Sequence, residues 1–306
     1  MAHQTVRVLD GSAGSELKKL GFVRAKDPLW SARCLVSNPR AVIDLHKRYI
    51  ESGSDVISTI SYQAGITNLQ QHLKISSAEA ERIIASSYEI ACTARQECQR
   101  PNVVIAGSIG PYGAALADCS EYTGAYADHI TTEELMAWHK PRLQCLHRVG
   151  CNLFAFETIP ALLEGLALTR LLREFPNAKA WLSFSCQDGE HTVKGELFSD
   201  VVQKCLQEDV GRQLVAIGVN CCPPETVSRL LKTTGRLTVP YVVYPNSGET
   251  YTPEGWVGKQ DLKPLSSYVN EWIELNALFI GGCCRTGPKD IEGIVNVVRL
   301  RNDCSA

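Results

Sequence analysis

No stretch of the 306-residue chain approaches the ~20 consecutive apolar residues needed to cross a bilayer. The first residues, Met1-Ala2-His3-Gln4, lack a basic start followed by an apolar run, so a cytoplasmic location is expected. Charge of one sign is also scarce: 31 Lys and Arg stand against 33 Asp and Glu, leaving a formal net charge of -2, without charge blocks. Such a balance gives neither nucleic acid nor an acidic membrane an electrostatic footprint. No internal repeat or low-complexity segment divides the chain, so residues 1–306 are expected to form one domain. Nothing in the composition marks a self-association surface, and a monomer is the default. No Lys follows the glycine-rich turn Gly107-Ser108-Ile109-Gly110 as a P-loop requires, and no C-x-x-C pair occurs.

What the chain does have is cysteine, thirteen of them against two methionines. Without a secretory signal and with an odd total, a disulfide framework is disfavoured; most of these thiols are read as reduced, several as small core side chains. Two adjacent pairs stand apart, Cys221-Cys222 and Cys283-Cys284.

Eight short apolar, β-branched runs bounded by Gly, Asn, Asp or Pro alternate with stretches of helical period. The runs are Val6 to Asp10, Asp55 to Tyr62, Val103 to Gly110, Leu153 to Thr158, Ala180 to Cys186, Leu214 to Cys221, Tyr241 to Asn246 and Leu278 to Cys284. The helical stretches include Pro39 to Ser52, Ala78 to Gln99, Glu133 to Val149, Ala161 to Glu174, Pro224 to Thr233, Leu262 to Leu275 and Pro288 to Leu300. Eightfold alternation predicts an α/β fold, a single (β/α)8 TIM barrel with its active site at the C-terminal face of the strands; a doubly wound sheet is the alternative. The longest irregular stretches, Ser108 to Tyr126 and Asn246 to Lys259, then become loops at that face.

In a barrel the polar strand ends converge on one mouth: Asp10-Gly11, Ser61-Tyr62-Gln63, Glu157-Thr158, Asn220-Cys221, Asn246 and Gly281-Gly282-Cys283-Cys284. Cys221, Cys283 and Cys284 would supply three thiolates and leave a fourth position open, a donor set that suits a catalytic zinc ion. Neighbouring strand residues point to opposite faces, so Cys283 and Cys284 converge only if the backbone twists, which Gly281-Gly282 permits. With Cys221 inward, Val219, Ile217 and Val215 should line the barrel interior, and Cys222 should point away. Packing cysteines, a strained disulfide or a redox switch are the competing readings. Asp10 and Glu157 have their own, as helix caps or partners of a surface Arg. His139 and His147 fall on a predicted helix without a metal-like partner and are read as core or solvated.

The residues also resemble a known family, the homocysteine S-methyltransferases, over essentially the whole chain. The motifs are Leu9-Asp10-Gly11 with Glu16-Leu17, Gly107-Ser108-Ile109-Gly110-Pro111-Tyr112-Gly113, Gly218-Val219-Asn220-Cys221, Tyr244-Pro245-Asn246-Ser247-Gly248-Glu249 and Ile280-Gly281-Gly282-Cys283-Cys284-Arg285-Thr286. The segment around Ser120-Glu121-Tyr122 and Tyr126 is most similar to the S-methylmethionine-dependent members. The resemblance implies Zn2+ on Cys221, Cys283 and Cys284, with the homocysteine sulfur at the open position and no catalytic residue beyond the zinc centre. It further implies that Asp10 and Glu157 hold the amino group of homocysteine, and that amides near Gly11 receive its carboxylate. Asn246 would approach the metal when substrate is absent; Tyr62, Gln63 and Thr158 would line the substrate site. The small-molecule partners implied are homocysteine and a sulfonium donor, S-methylmethionine or S-adenosylmethionine, with Tyr62, Tyr112, Tyr122 and Tyr126 available to face the sulfonium. A selenium thiol such as selenocysteine is the rival acceptor, and a non-catalytic zinc or thiol sensor the rival class.

Overall fold

Each apolar run becomes a strand; seven of the eight end sooner than the run, and the fourth continues one residue past it to Ile159. The computed structural model describes residues 5–24, 27–252, 255–258 and 262–303; Met1 to Gln4, Lys259 and the chain's last three residues lie outside them. The strands are β1 Arg7–Val8, β2 Val56–Ser58, β3 Val104–Ile109, β4 Leu153–Ile159, β5 Lys179–Phe184, β6 Leu214–Asn220, β7 Tyr241–Tyr244, β8 Thr250–Thr252, β9 Gly255–Val257 and β10 Ala277–Ile280. Eight of them pair in the order β1-β10-β7-β6-β5-β4-β3-β2, all in parallel. A parallel bridge from Leu9 to Val56 closes the ring, reinforced by the Asp55 amide donating to the Val8 carbonyl at 2.7 Å. The result is a (β/α)8 TIM barrel, with the antiparallel hairpin β8-β9 added inside what the sequence predicts as the irregular stretch after β7.

The helices follow their caps. Pro224–Thr233 coincides with its prediction, with prolines at its entry. The helix Thr132–Arg148 starts one residue before the expected stretch Glu133 to Val149, from a capping box in which Thr131 and Glu134 satisfy each other's backbone amides. The stretch Leu262 to Leu275 is instead split into a 3-10 turn at Leu265–Ser267 and a short helix, Val269–Glu274. The helices Ala13–Lys19, Ile66–Leu73 and Tyr112–Leu116 are too short to show a clear apolar repeat, whereas Phe198–Glu208 carries one, with Phe198, Val201, Val202 and Cys205 buried along one face, and is absent from the expected helices. No helix among the described residues is long and apolar enough to cross a membrane.

Two apolar shells hold the barrel. The outer one lies between strands and helices and includes Ile105, Phe154, Phe156, Leu182, Phe184, Ile217, Val219 and Val243. The inner one consists of Leu9, Val56, Ala106, Ala155, Trp181, Ala216, Val242 and Tyr244, with Leu153 and Phe279 against it. Alanines on three strands make room for the Trp181 indole, which fills the interior and donates from Nε1 to the Tyr244 hydroxyl at 3.0 Å. The expected inward set on β6 is therefore reversed: Ile217 and Val219 pack outward under the helices, and Ala216 is the inner residue. The physical reason lies at Cys221, whose φ of 53° breaks the strand alternation from which parity was counted.

Candidate active site

Above the Trp181 layer the inward positions turn polar. Asp10, just past β1, accepts from the Ser58 amide at 2.8 Å through Oδ2 and from the Ser58 hydroxyl at 3.3 Å through Oδ1. Glu157 on β4 accepts from the Ser108 hydroxyl and the Tyr244 hydroxyl. Neither carboxylate caps a helix, and neither pairs with Arg or Lys among the described residues. Burial pushes Asp10 up to about 8, aided by the negative charge of Glu157, and burial pushes Glu157 up to about 7. These are two carboxylates surrounded by hydroxyls and amides, in a place that lacks a protein cation.

The direction of Glu157 is set by a bulge. The β4-β5 register shifts between Phe156 and Ile159, and Thr158 sits at φ 60°, a left-handed conformation costly for a β-branched residue. Asn220 on β6 holds it there: its Oδ1 accepts from the Thr158 amide at 2.7 Å, and its Nδ2 donates to the Thr158 hydroxyl at 2.8 Å. The Ser183 hydroxyl lies 2.9 Å from the same Oδ1 and 2.6 Å from the Tyr244 hydroxyl, so the polar groups around Asn220 and Glu157 are contiguous.

The three cysteines meet as the sequence anticipates. The Sγ atoms of Cys221, Cys283 and Cys284 all lie within 4.8 Å of one another, with Cys221 and Cys284 at 3.3 Å. All three are free thiols, and Cys222 packs away into the outer shell. The twist expected at Gly281-Gly282 is placed differently. Neither glycine has positive φ; β10 ends at Ile280, and Cys283 and Cys284 lie beyond it, where strand alternation no longer applies. The glycines answer to crowding instead: a Cβ on Gly281 would stand 2.6 Å from that of Leu9, and one on Gly282 would stand 2.2 Å from the Thr286 hydroxyl. The Cys283-Cys284 segment is pinned to β7 and its loop by the Cys283 amide donating to Pro245 at 2.7 Å and the Ser247 amide donating to Cys284 at 3.0 Å. Arg285 clamps the buried Glu249 through Nε and Nη2 at 3.0 and 2.8 Å.

Hydrogen bonds from Cys221 and Cys283 pull the Cys284 thiol well down, while its bonds to Cys221 and Cys284 push Cys283 well up. Three adjacent thiols do not all ionise without a cation among them. Thiolates bound at ~2.3 Å around one tetrahedral zinc ion stand ~3.8 Å apart, so the observed spacing fits such an ion.

The remaining predicted residues divide. The Tyr62 hydroxyl bonds Thr158, placing it in the site. Gln63 donates to the Ala114 carbonyl at 3.4 Å, anchoring the loop after β3. No acceptor is found for the Gly11 amide among the described residues. Asn246 uses its amide on backbone, donating to the Cys221 carbonyl at 3.4 Å and accepting from Gly248 at 2.8 Å. Of the mouth tyrosines, Tyr122 reaches the thiols, its hydroxyl 3.7 Å from Cys221 Sγ. Tyr112 and Tyr126 lie behind the loop instead, their rings 5.4 Å apart, because the Tyr126 hydroxyl is drawn to the buried Glu164. His139 is a core residue, also bonded to Glu164.

Residues 7–298 match the homocysteine S-methyltransferase family. The chain belongs to that family. It is 41% identical over 301 residues to the homocysteine S-methyltransferase YbgG of Bacillus subtilis, covering 94% of this chain and 92% of the relative. It is 39% identical to a selenocysteine Se-methyltransferase of Brassica oleracea, covering 94% and 87%. Among solved structures, the homocysteine methyltransferase MmuM of Escherichia coli superimposes with a TM-score of 0.85 in its oxidised form (38% identity, 96% of each chain). Its metallated form gives 0.83 (36% identity, 95% of this chain and 96% of that one).

The sequence alone did not single out Ser58, Ser108, Ser183 and Tyr244, which with Asn220 make the polar layer, and it assigned Tyr122 to the sulfonium without foreseeing its contact with Cys221. A sequence signal exists for part of this layer: on β3, β4, β5 and β7 the residue two positions after the interior Ala106, Ala155, Trp181 or Val242 is Ser108, Glu157, Ser183 or Tyr244, each with a polar group.

Proposed function

We propose that the protein transfers a methyl group from a sulfonium donor, S-methylmethionine, to the thiol of homocysteine, forming methionine, with zinc held by Cys221, Cys283 and Cys284. One observation carries the reading: a three-thiol cluster shares its mouth with two carboxylates, the buried Asp10 and the partly buried Glu157, that have no cationic partner among the described residues. An acceptor with a thiol at one end and an ammonium at the other answers both needs.

When bound, the metal supplies positive charge that keeps the acceptor sulfur deprotonated at neutral pH, where a free thiol of pKa ~8.5 is mostly protonated. Asp10 and Glu157 bind the acceptor's ammonium, and its positive charge brings both carboxylates into their ionised form. The Gly11 amide donates to the acceptor carboxylate. Asn220 and Thr158 fix the direction of Glu157 and with it the placement of the sulfur. The thiolate attacks the donor methyl carbon in line; the new S–C bond forms as the sulfonium S–C bond breaks, its electron pair returning to the leaving sulfur. The thiol proton has already gone to solvent, and with S-methylmethionine both products are methionine.

S-adenosylmethionine presents the same sulfonium and is the second donor. The selenocysteine-methylating relative makes a selenol the second acceptor. The test is a panel of S-methylmethionine, S-adenosylmethionine and betaine against homocysteine and selenocysteine, run on the wild type and Cys283→Ser. S-Methylmethionine with homocysteine should give the highest kcat/KM, and the variant should lose both zinc and more than 10³-fold in turnover. Absence of product with every sulfonium removes the enzymatic reading; normal turnover in the variant removes the metal assignment.

A further inference from the structure

One half-buried carboxylate, on the residue next to Tyr122, has no task in the methyl transfer proposed above. Glu121 belongs to the 3-10 turn Ser120–Tyr122 in the loop after β3. Its Oε2 is shielded from solvent, yet no hydrogen-bond partner approaches it. The backbone around it is firmly set: the Ser185 hydroxyl donates to the Glu121 carbonyl at 3.2 Å, and the Ser120 hydroxyl donates to Gly113 at 3.3 Å. There is no space for a side chain at Gly113, where a Cβ would stand 2.6 Å from the Glu121 amide nitrogen. The next residue, Tyr122, reaches Cys221. The Glu121 charge also acts on Tyr62 and Cys284, both at the mouth. A buried carboxylate oxygen without a donor costs free energy unless a ligand completes it.

We propose that Glu121 is the anionic contact for the methyl donor, holding the donor's positive charge on the loop that covers Cys221, apart from the acceptor's carboxylates Asp10 and Glu157. This rests on the methyl-transfer reading above. S-Methylmethionine brings two cationic groups, a sulfonium that loses its charge in the reaction and an α-ammonium that keeps it. A carboxylate on the sulfonium would stabilise the ground state more than the transition state, whereas one on the ammonium serves both equally. In either case Glu121 acts on donor binding, and a contact to the sulfonium would in addition select cationic donors over neutral analogues.

The experiment is calorimetric titration of the zinc-loaded wild type, Glu121→Gln and Glu121→Asp with S-methylmethionine, trimethylsulfonium, methionine and homocysteine. Glu121→Gln should bind S-methylmethionine about 10- to 100-fold more weakly, with homocysteine affinity held within about threefold. Glu121→Asp, which keeps the charge, should recover part of the loss. If trimethylsulfonium weakens in parallel, the contact is to the sulfonium; if methionine weakens and trimethylsulfonium does not, it is to the ammonium. Equal S-methylmethionine affinity in Glu121→Gln and wild type overturns the role of Glu121, as does an equal loss in the Gln and Asp variants or an equal loss of homocysteine affinity. A wild type that binds homocysteine but no cationic donor overturns the methyl-transfer reading itself, and is distinguishable on that ground.

Discussion

Glu164 is a fully buried carboxylate and Glu157 a partly buried one in the same barrel, and their partners differ. Glu164 sits among complete partners: its Oε1 accepts from His139 Nε2 and the Tyr112 amide, both at 2.7 Å, and its Oε2 accepts from the Tyr126 hydroxyl. Arg142, fully buried, donates to His139 Nδ1 and to the Gly110 carbonyl at 2.7 Å. Because Arg142 only donates, Nδ1 must accept, so the proton is on Nε2 and the imidazole relays between Arg142 and Glu164 as a neutral group. Burial agrees, pushing His139 down to about 4. Glu157 and its neighbour in charge, Asp10, have hydroxyls and amides but no cation. The first set is finished at Glu164, where the protein satisfies every oxygen, although Arg142 Nε behind it has no hydrogen-bond partner among the described residues; the second, Asp10 and Glu157, is in the function proposed above completed by the acceptor's ammonium. A buried charge that the fold completes positions structure, and one that the fold leaves incomplete marks where a cationic group binds.

The largest effect should come from breaking the finished set. Glu164→Gln leaves Arg142 buried without its counter-charge, which should cost about 3 kcal/mol of stability and lower the melting temperature by several degrees. Because Tyr112 and Tyr126 hang on Glu164, the loop bearing Glu121 and Tyr122 should also loosen, seen as faster amide exchange over residues 112–126. An unchanged melting temperature would remove the distinction between the two sets.

The unfinished set should respond in the opposite sense. Asp10→Asn should raise the KM for homocysteine about 10- to 100-fold without lowering the stability of the ligand-free protein. The sign of the pH dependence follows from the folded value of about 8, above the ordinary 3.8. Between those two values the folded protein holds a proton that the unfolded chain has released, so ligand-free stability falls as pH rises toward 8, by about 2 kcal/mol between pH 6 and pH 8. Asp10→Asn should flatten that slope in thermal melts. Homocysteine affinity should move the other way, strengthening as pH rises through about 7 to 8 while the two carboxylates ionise. Melts of wild type and variant that share one pH slope would show that Asp10 is not the group responsible.

How much of this was legible differs between the layers for a physical reason. Eight strands were readable because both faces of a parallel barrel strand are buried, giving continuous apolar runs such as Leu214 to Asn220. That same continuity hid which residues face inward: on β6, Ile217 and Val219 are as apolar as an interior residue, and only the structure shows Ala216 inside. The thiols were readable because cysteine types stood at two strand ends. Their convergence depends on left-handed backbone at Cys221 and on the segment beyond Ile280, which no residue type announces. Short loop helices such as Tyr112–Leu116 are set by packing against Trp138 and Glu164 rather than by their own period, and so escaped the pattern.

The smallest effect tests whether the strained bulge aims Glu157. Thr158→Gly relieves the left-handed conformation, worth about 1 kcal/mol, but gives up the hydroxyl bond to Asn220, worth about the same, and adds backbone entropy to the unfolded chain. Stability should therefore fall by less than about 1 kcal/mol. Glu157 loses a fixed neighbour, however, so the homocysteine KM should rise several-fold while the donor KM stays constant. Thr158→Ser, which keeps the hydroxyl, should restore most of the homocysteine affinity. If both variants match wild type in KM, the bulge serves the fold alone, and the direction of Glu157 is set by Ser108 and Tyr244.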